Sequence, residues 1–348
     1  VADCHDALRL APLYAYPRFT LAGLYRELAQ YELSEQHLRR LIELLQAGVE
    51  RDRARRELAA TYRRQAESKE GAERLRLLDT ALSELVTITR DPWPHRAFDA
   101  EVQEEMAEIL HLMGRTSDAI VALRAGIGAV GRQPGDARRR GRLAELLAER
   151  EGPEVVLREL EDARTACAHE LAQSANTDAE QILREQSVML ATRLVLFLAD
   201  HGIALHEAQL LADGTLDSAR QTRLSLSRLA ECEDACGWVA YREGKFGEAI
   251  HHFEAALDYS GGDALEWAHL ALGLEAKSAA NGTRNARRTK LEDLNRARDV
   301  WQQLLERFPD STWAARAEEH LGRIPERPHA PMPLVTNHTG APVHGGIP

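Results

Sequence analysis

The chain has 348 residues, with 44 Lys+Arg against 55 Asp+Glu for a formal net charge of −11, 44% hydrophobic residues and 5% aromatics. That apolar content excludes wholesale disorder, and the acidic balance argues against a general nucleic-acid binder. No apolar run approaches the roughly 18 residues of a membrane helix, so a soluble chain with no membrane insertion is expected.

From the N-terminus, Cys4, Ala7-Leu8 and Pro12 read as the end of a helix and the proline after it. Leu21-Ala22, Tyr25 and Ala29 then form a helix whose partner carries Tyr31, Ser34, Leu38 and Leu41. Leu38, Leu41, Ile42 and Leu45 follow the i, i+3, i+4, i+7 spacing of one buried face. Leu58-Ala59, Tyr62 and Ala66 open a further pair, closed by Leu75, Leu78, Leu82 and Val86 at helical spacing. After the break at Asp91-Pro92-Trp93-Pro94 come Met106-Ala107, Leu110, Gly114, Ala119, Leu123 and Gly126-Ile127, ended by Gln133-Pro134-Gly135-Asp136. Leu143-Ala144, Leu147, Val156, Leu160 and Ala163 continue the pattern, and residues 164 to 190 match it least. Leu198 to Gly202 with Glu207-Ala208 is a looser copy. Cys236-Gly237, Ala240, Gly244, Phe246, Ala249, Phe253 and Ala256-Leu257 form the clearest one. Trp267 to Gly273 is separated from Ala297, Trp301, Leu304 and Pro309 by an insertion from Asn281 to Lys290, and Trp313 to Leu321 reads as a closing helix. Six of the 13 prolines fall in residues 325–348, an extended tail too poor in apolar residues to fold alone.

The segments around Met106 and Cys236 repeat the same offsets. A small residue is followed by an apolar one three later, Gly four later, Ala five later, a bulky residue four later and a small one three later. Small residues let antiparallel helices approach, Gly closes the first helix, and bulky residues fill the space between neighbouring pairs. These residues resemble tetratricopeptide repeats of bacterial type, helix-turn-helix units of about 34 residues. The resemblance implies an all-α, right-handed superhelical solenoid of antiparallel helix pairs, about seven repeats over residues 1–324, followed by the 325–348 tail. Because the first eleven residues match only the close of a unit, the array is expected to be truncated at its N-terminal end and to lack upstream sequence.

No motif points to catalysis. Gly126-Ile127-Gly128-Ala129-Val130-Gly131 has the dinucleotide spacing but follows a repeat helix rather than a strand, so it reads as a glycine-rich helix end. His251-His252 and the His201/His206 pair lack the i, i+4 spacing of metal-binding imidazoles. Neither a metal nor a cofactor is expected. Cys4, Cys167, Cys232 and Cys236 contain no C-x-x-C and read as small packing residues, which favours a reducing, cytoplasmic compartment over a periplasmic one. The basic clusters Arg138-Arg139-Arg140 with Arg142, and Arg284, Arg287-Arg288 with Lys290, read as a solvated helix end and a solvated insertion. Their alternative is a phosphate or acidic-peptide contact.

Ligands of the resembled family usually lie against the first helices of the repeats. Projecting the register onto this chain gives Arg53, Arg56, Arg63 and Arg64 from one unit and Glu101, Glu104 and Glu108 from the next. Trp238, Tyr241 and Arg242 come from the clearest repeat. The Arg and Glu sets either pair across neighbouring units, Arg56 with Glu104 for instance, or contact a partner. The expected function is a non-catalytic scaffold holding a protein or peptide. The alternative is the helical arm of a larger enzyme or cofactor-carrying complex.

Overall fold

The structure, a computed structural model, describes residues 2–90, 96–127, 135–174, 177–280 and 287–324. The break at Asp91 to Pro94, most of the Gly126–Gly131 segment and the 325–348 tail therefore lie outside the described residues. Among the described residues there are sixteen helices and no strand.

They fall into two compact units divided after Leu224. In the first, α1 (Ala2–Leu10) precedes five antiparallel pairs: α2 (Ala15–Glu27) with α3 (Tyr31–Leu44), α4 (Val49–Ala66) with α5 (Gly71–Arg90), α6 (Arg96–Leu112) with α7 (Thr116–Ile127), α8 (Asp136–Ala148) with α9 (Pro153–Gln173), and α10 (Thr177–His201) with α11 (Leu205–Gln221). In the second, α12 (Leu226–Arg242) pairs with α13 (Phe246–Ser260) and α14 (Ala264–Ala280) with α15 (Arg287–Arg307), and α16 (Ala314–Arg323) follows. No helix among the described residues is long and apolar enough to cross a membrane.

Each unit is a stack of helix pairs, and the repeat residues are the ones that make it so. Leu21, Leu38, Leu58, Leu78, Ala81 and Leu123 are fully buried in the first unit; Ala240, Phe253, Ala271 and Trp301 are fully buried in the second. Removing a large side chain of this kind costs on the order of 3–5 kcal/mol. Close approach is enforced most visibly at Gly237, where a Cβ would lie 2.6 Å from the Phe253 ring.

The turn inside a pair has one recurring form. Gly114 and Gly244 adopt φ of 75° and 80°. The next N–H reaches back over the helix end, Arg115 to the Leu110 carbonyl at 2.8 Å and Lys245 to that of Ala240 at 2.9 Å. This is the glycine-closed helix end that orphan carbonyls require. In the α2–α3 turn the same bond, Gln30 N–H to the Tyr25 carbonyl at 2.8 Å, is made around Ala29 at φ 56°. An alanine there carries the left-handed penalty that glycine avoids.

Two expectations are corrected. Leu75 is exposed, and α5 instead buries Leu77, Leu78, Ala81, Leu82, Leu85 and Ile88. At about 100° per residue Leu75 lies at the edge of that stripe, about 20° from buried Leu82 but two turns nearer the start of the helix. Where described, residues 164 to 190, the poorest match to the repeat, belong mainly to α9 and α10, of 21 and 25 residues, long enough to blur a repeat of ordinary helix length. The insertion ends earlier than its sequence suggests, because Arg287 to Lys290 already form the start of α15.

Two substitutions test these packing rules by urea denaturation. Ala29→Gly is expected to stabilise the chain by about 1 kcal/mol by relieving the left-handed alanine. Gly237→Ala is expected to destabilise it by about 1–3 kcal/mol through overpacking against Phe253.

Candidate functional site

In the first unit, α4, α6, α8 and α10, the first helices of four successive pairs, wall a groove of about 560 Å³. α4 contributes Arg56 and Arg63, two helical turns apart on one face. α6 contributes Glu101, Glu104, Glu105 and Glu108, which reproduce the i, i+3, i+4, i+7 spacing on the side away from buried Val102, Ala107, Ile109 and Leu110. α8 supplies Arg138, Arg142 and Glu145, and α10 supplies Met189 and Arg193. The wall therefore holds five arginines, five glutamates and one methionine.

The charges pair from helix to helix. Arg56 of α4 donates from Nε to Glu105 at 2.6 Å and also pairs with Glu101. Arg138 of α8 meets Glu104 of α6 at 2.6 Å, and Arg142 meets Glu108 at 3.2 Å. Each of those two bonds joins residues 34 apart, equivalent positions of successive repeats. Glu145 then accepts from Arg142 and from Arg193 of α10, both at 2.6 Å. The result is a ladder of ion pairs across four first helices.

Burial tunes its members. For Glu105 burial is the largest influence and raises its pKa above the ordinary glutamate value, against the opposing pull of Arg56 and Arg63. For Arg56 burial works against the charge, but Glu105 and Glu101 outweigh it and hold its pKa above the usual arginine value.

Arg56 meets the glutamates on either side of Glu104, and Glu104 is held by Arg138. Nor is the Arg138-Arg139-Arg140 run a solvated helix end. Successive residues point about 100° apart, and each arginine goes a different way. Arg138 crosses to α6, and Arg140 turns to Glu159 and Asp162 of α9 at 3.0 and 3.2 Å. Arg139, 1% exposed, lies in the interior against Asp136 at 2.9 Å and Glu104 at 3.6 Å. Glu170 of α9 completes this corner by accepting from the N–H groups of Gly135 and Ala137 at 3.0 and 3.2 Å.

Of the other candidates, Arg53 is exposed and lies over the Phe19 ring at 4.8 Å, away from the groove wall, and Arg64 pairs with Glu67 on the surface. Trp238, Tyr241 and Arg242 belong to the second unit, all half-buried. Trp238 stacks on Tyr241 at 5.0 Å and on His269 at 4.3 Å, and the His269 Nδ1 donates to buried Asp234 at 2.8 Å. Burial, then Glu275, raises the Tyr241 pKa. Gly126 permits close approach rather than phosphate contact: a Cβ would lie 3.1 Å from the Ala100 carbonyl. Cys167, Cys232 and Cys236 are buried, and burial followed by Glu170 pushes the Cys167 thiol up to about 11. Among the described residues no three His, Cys, Asp or Glu side chains gather as a metal site would need.

Sequence reasoning did not place Glu105, Arg138, Arg142, Glu145, Met189 or Arg193 on the groove. The signal that finds two of them is the 34-residue step from Glu104 and Glu108.

No protein-family model matches the sequence, and no curated protein matches it. Solved structures share the fold at low identity. The apo form of RapI is 11% identical at a TM-score of 0.59, over 89% of this chain and 81% of that one. Acl4, an assembly chaperone of RpL4 (residues 1–338), is 12% identical at 0.52, over 78% and 97%. A tetratricopeptide repeat protein from Parabacteroides merdae is 13% identical at 0.50, over 88% and 97%. The chain thus has the tetratricopeptide-type fold of antiparallel helix pairs.

Two experiments test the ladder. Arg139→Ala is expected to cost about 3 kcal/mol or more by leaving buried Asp136 without its cation, whereas Arg138→Ala, at an exposed arginine, is expected to cost under about 1 kcal/mol; chemical denaturation separates them. Arg56→Met removes the main counter-charge of Glu105 and moves its pKa further up. The folded state then holds the proton more tightly than the unfolded state. Its contribution is full below the ordinary glutamate pKa and is lost as pH rises through the raised value. Between about pH 4 and pH 7 the unfolding free energy from urea denaturation is expected to fall by about 1 kcal/mol more in this variant than in the parent.

Proposed function

We propose that this array of tetratricopeptide-type repeats is a non-catalytic scaffold that holds a segment of a protein partner in the groove of its first unit. The observation that carries the reading is the groove wall itself, four first helices most of whose charges are held by one another. Stacked repeats bury only neighbour contacts and leave such a face open. Side chains already held by mutual pairs lose less freedom when a ligand arrives, and alternating signs discriminate among ligands by charge register.

The groove chemistry favours holding over turnover. Arginine does not release its proton at neutral pH, and its glutamates are engaged by guanidinium groups. The likeness to an assembly chaperone, a protein that handles another protein, supports the same reading.

The test is affinity capture from the native source with the intact chain, a groove variant and a surface control. Glu108→Arg places a cation against Arg142 in the groove; Arg288→Glu alters a side chain that is 91% exposed. Circular dichroism confirms that both remain helical. A partner retained by the parent and by Arg288→Glu is expected to be lost at least about tenfold by Glu108→Arg. Equal retention by all three would overturn the groove as the binding surface.

A further inference from the structure

Among the described residues lining the groove, every glutamate and four of the five arginines are in ion pairs, and Arg63 is in none. The register explains why. Arg56 is met by Glu101 and Glu105, and Arg63 lies seven residues further along α4. The same step along α6 leads to positions 108 and 112. Glu108 is taken by Arg142 from the other side, and position 112 is a leucine. Arg63 is thus the rung of the ladder whose partner the chain does not supply.

Arg63 is half-buried, facing the groove, so its charge is only partly solvated. Its electrostatic link within the wall is to Glu105, which is already bonded to Arg56. A guanidinium in this position presents a planar fork of donors that fits a carboxylate. Met189, on α10 at the other end of the wall, adds an adaptable apolar surface to the same groove. The wall as a whole is neutral, five arginines against five glutamates, so one incoming carboxylate would pair with Arg63 and leave the occupied groove one charge more negative.

Resting on the groove reading above, we infer that Arg63 receives an acidic side chain from within the bound segment, so that the partner is recognised through an Asp or Glu at that point. The C-terminal carboxylate of a peptide carries the same chemistry and is separated by the test.

The full chain is immobilised and exposed to random decapeptides, acetylated and amidated at their ends, whose central residue is Glu, Gln or Lys. The parent is expected to retain Glu-centred peptides about tenfold over Gln-centred ones and to disfavour Lys. Arg63→Gln is expected to abolish that preference while still retaining Gln-centred peptides, a readout that a merely unfolded variant does not give. A Glu preference that persists in Arg63→Gln, or that is absent from the parent, would overturn the assignment. So would a preference seen only when the amide is replaced by a free C-terminus. Retention that Glu108→Arg abolishes but that shows no Glu preference defeats the Arg63 inference alone. No retention by the parent, or retention that Glu108→Arg leaves intact, defeats the groove reading and with it the inference.

Discussion

A helix pair in this chain cannot bury its own apolar stripe; it does so only against the next pair. Everything else follows from that constraint. The small residues that let helices approach, the glycine-closed turn within a pair and the bulky fillers such as Phe253 and Trp301 are its direct consequences. Because successive pairs stack in the same sense, their first helices come to share one face. Residues one repeat apart then meet side by side, as Glu104 and Arg138 do across 34 positions.

The groove is the electrostatic expression of the same geometry. Once α4, α6, α8 and α10 are neighbours, acidic α6 lies between arginine-bearing helices, and most of the charges find a partner across a helix boundary. Exposed pairs of this kind contribute little each, under about 1 kcal/mol. Their importance is positional: they hold long side chains in place along a surface that the fold leaves uncovered. Arg139 is the exception, since it is buried and joins the start of α8 to the ladder. The aromatic stack of Trp238, Tyr241 and His269 in the second unit serves a different end. Its rings lie largely on one another and against the core.

The fold was legible in the sequence because its determinants are local and periodic. Met106 to Ile127 and Cys236 to Leu257 carry the helix faces, the closing glycines and the small contact residues at matching offsets, and the structure uses them in those roles. Individual boundaries were less legible. Leu75 satisfies the helical spacing yet is exposed at the edge of the buried stripe, and the lengths of α9 and α10 obscure the repeat between residues 164 and 190. The lining of the groove was legible in part. Arg56, Arg63, Glu101, Glu104 and Glu108 do line the groove, whereas Arg53 does not. Which arginine meets which glutamate depends on the axial offset between neighbouring helices, a quantity of about one helical turn that side-chain spacing within each helix does not contain. The same offset directs Arg138, Arg139 and Arg140 to three different environments.

A partner segment lying among these first helices is read directly by site-directed photo-crosslinking. Benzoylphenylalanine placed at Met189, on the groove wall, is compared with the same group at Val121, which is 66% exposed on second helix α7. In the native source, crosslinks to a partner protein are expected from Met189, mapping to one short stretch of it, and none from Val121. Crosslinks from Val121 with none from Met189 would contradict that placement.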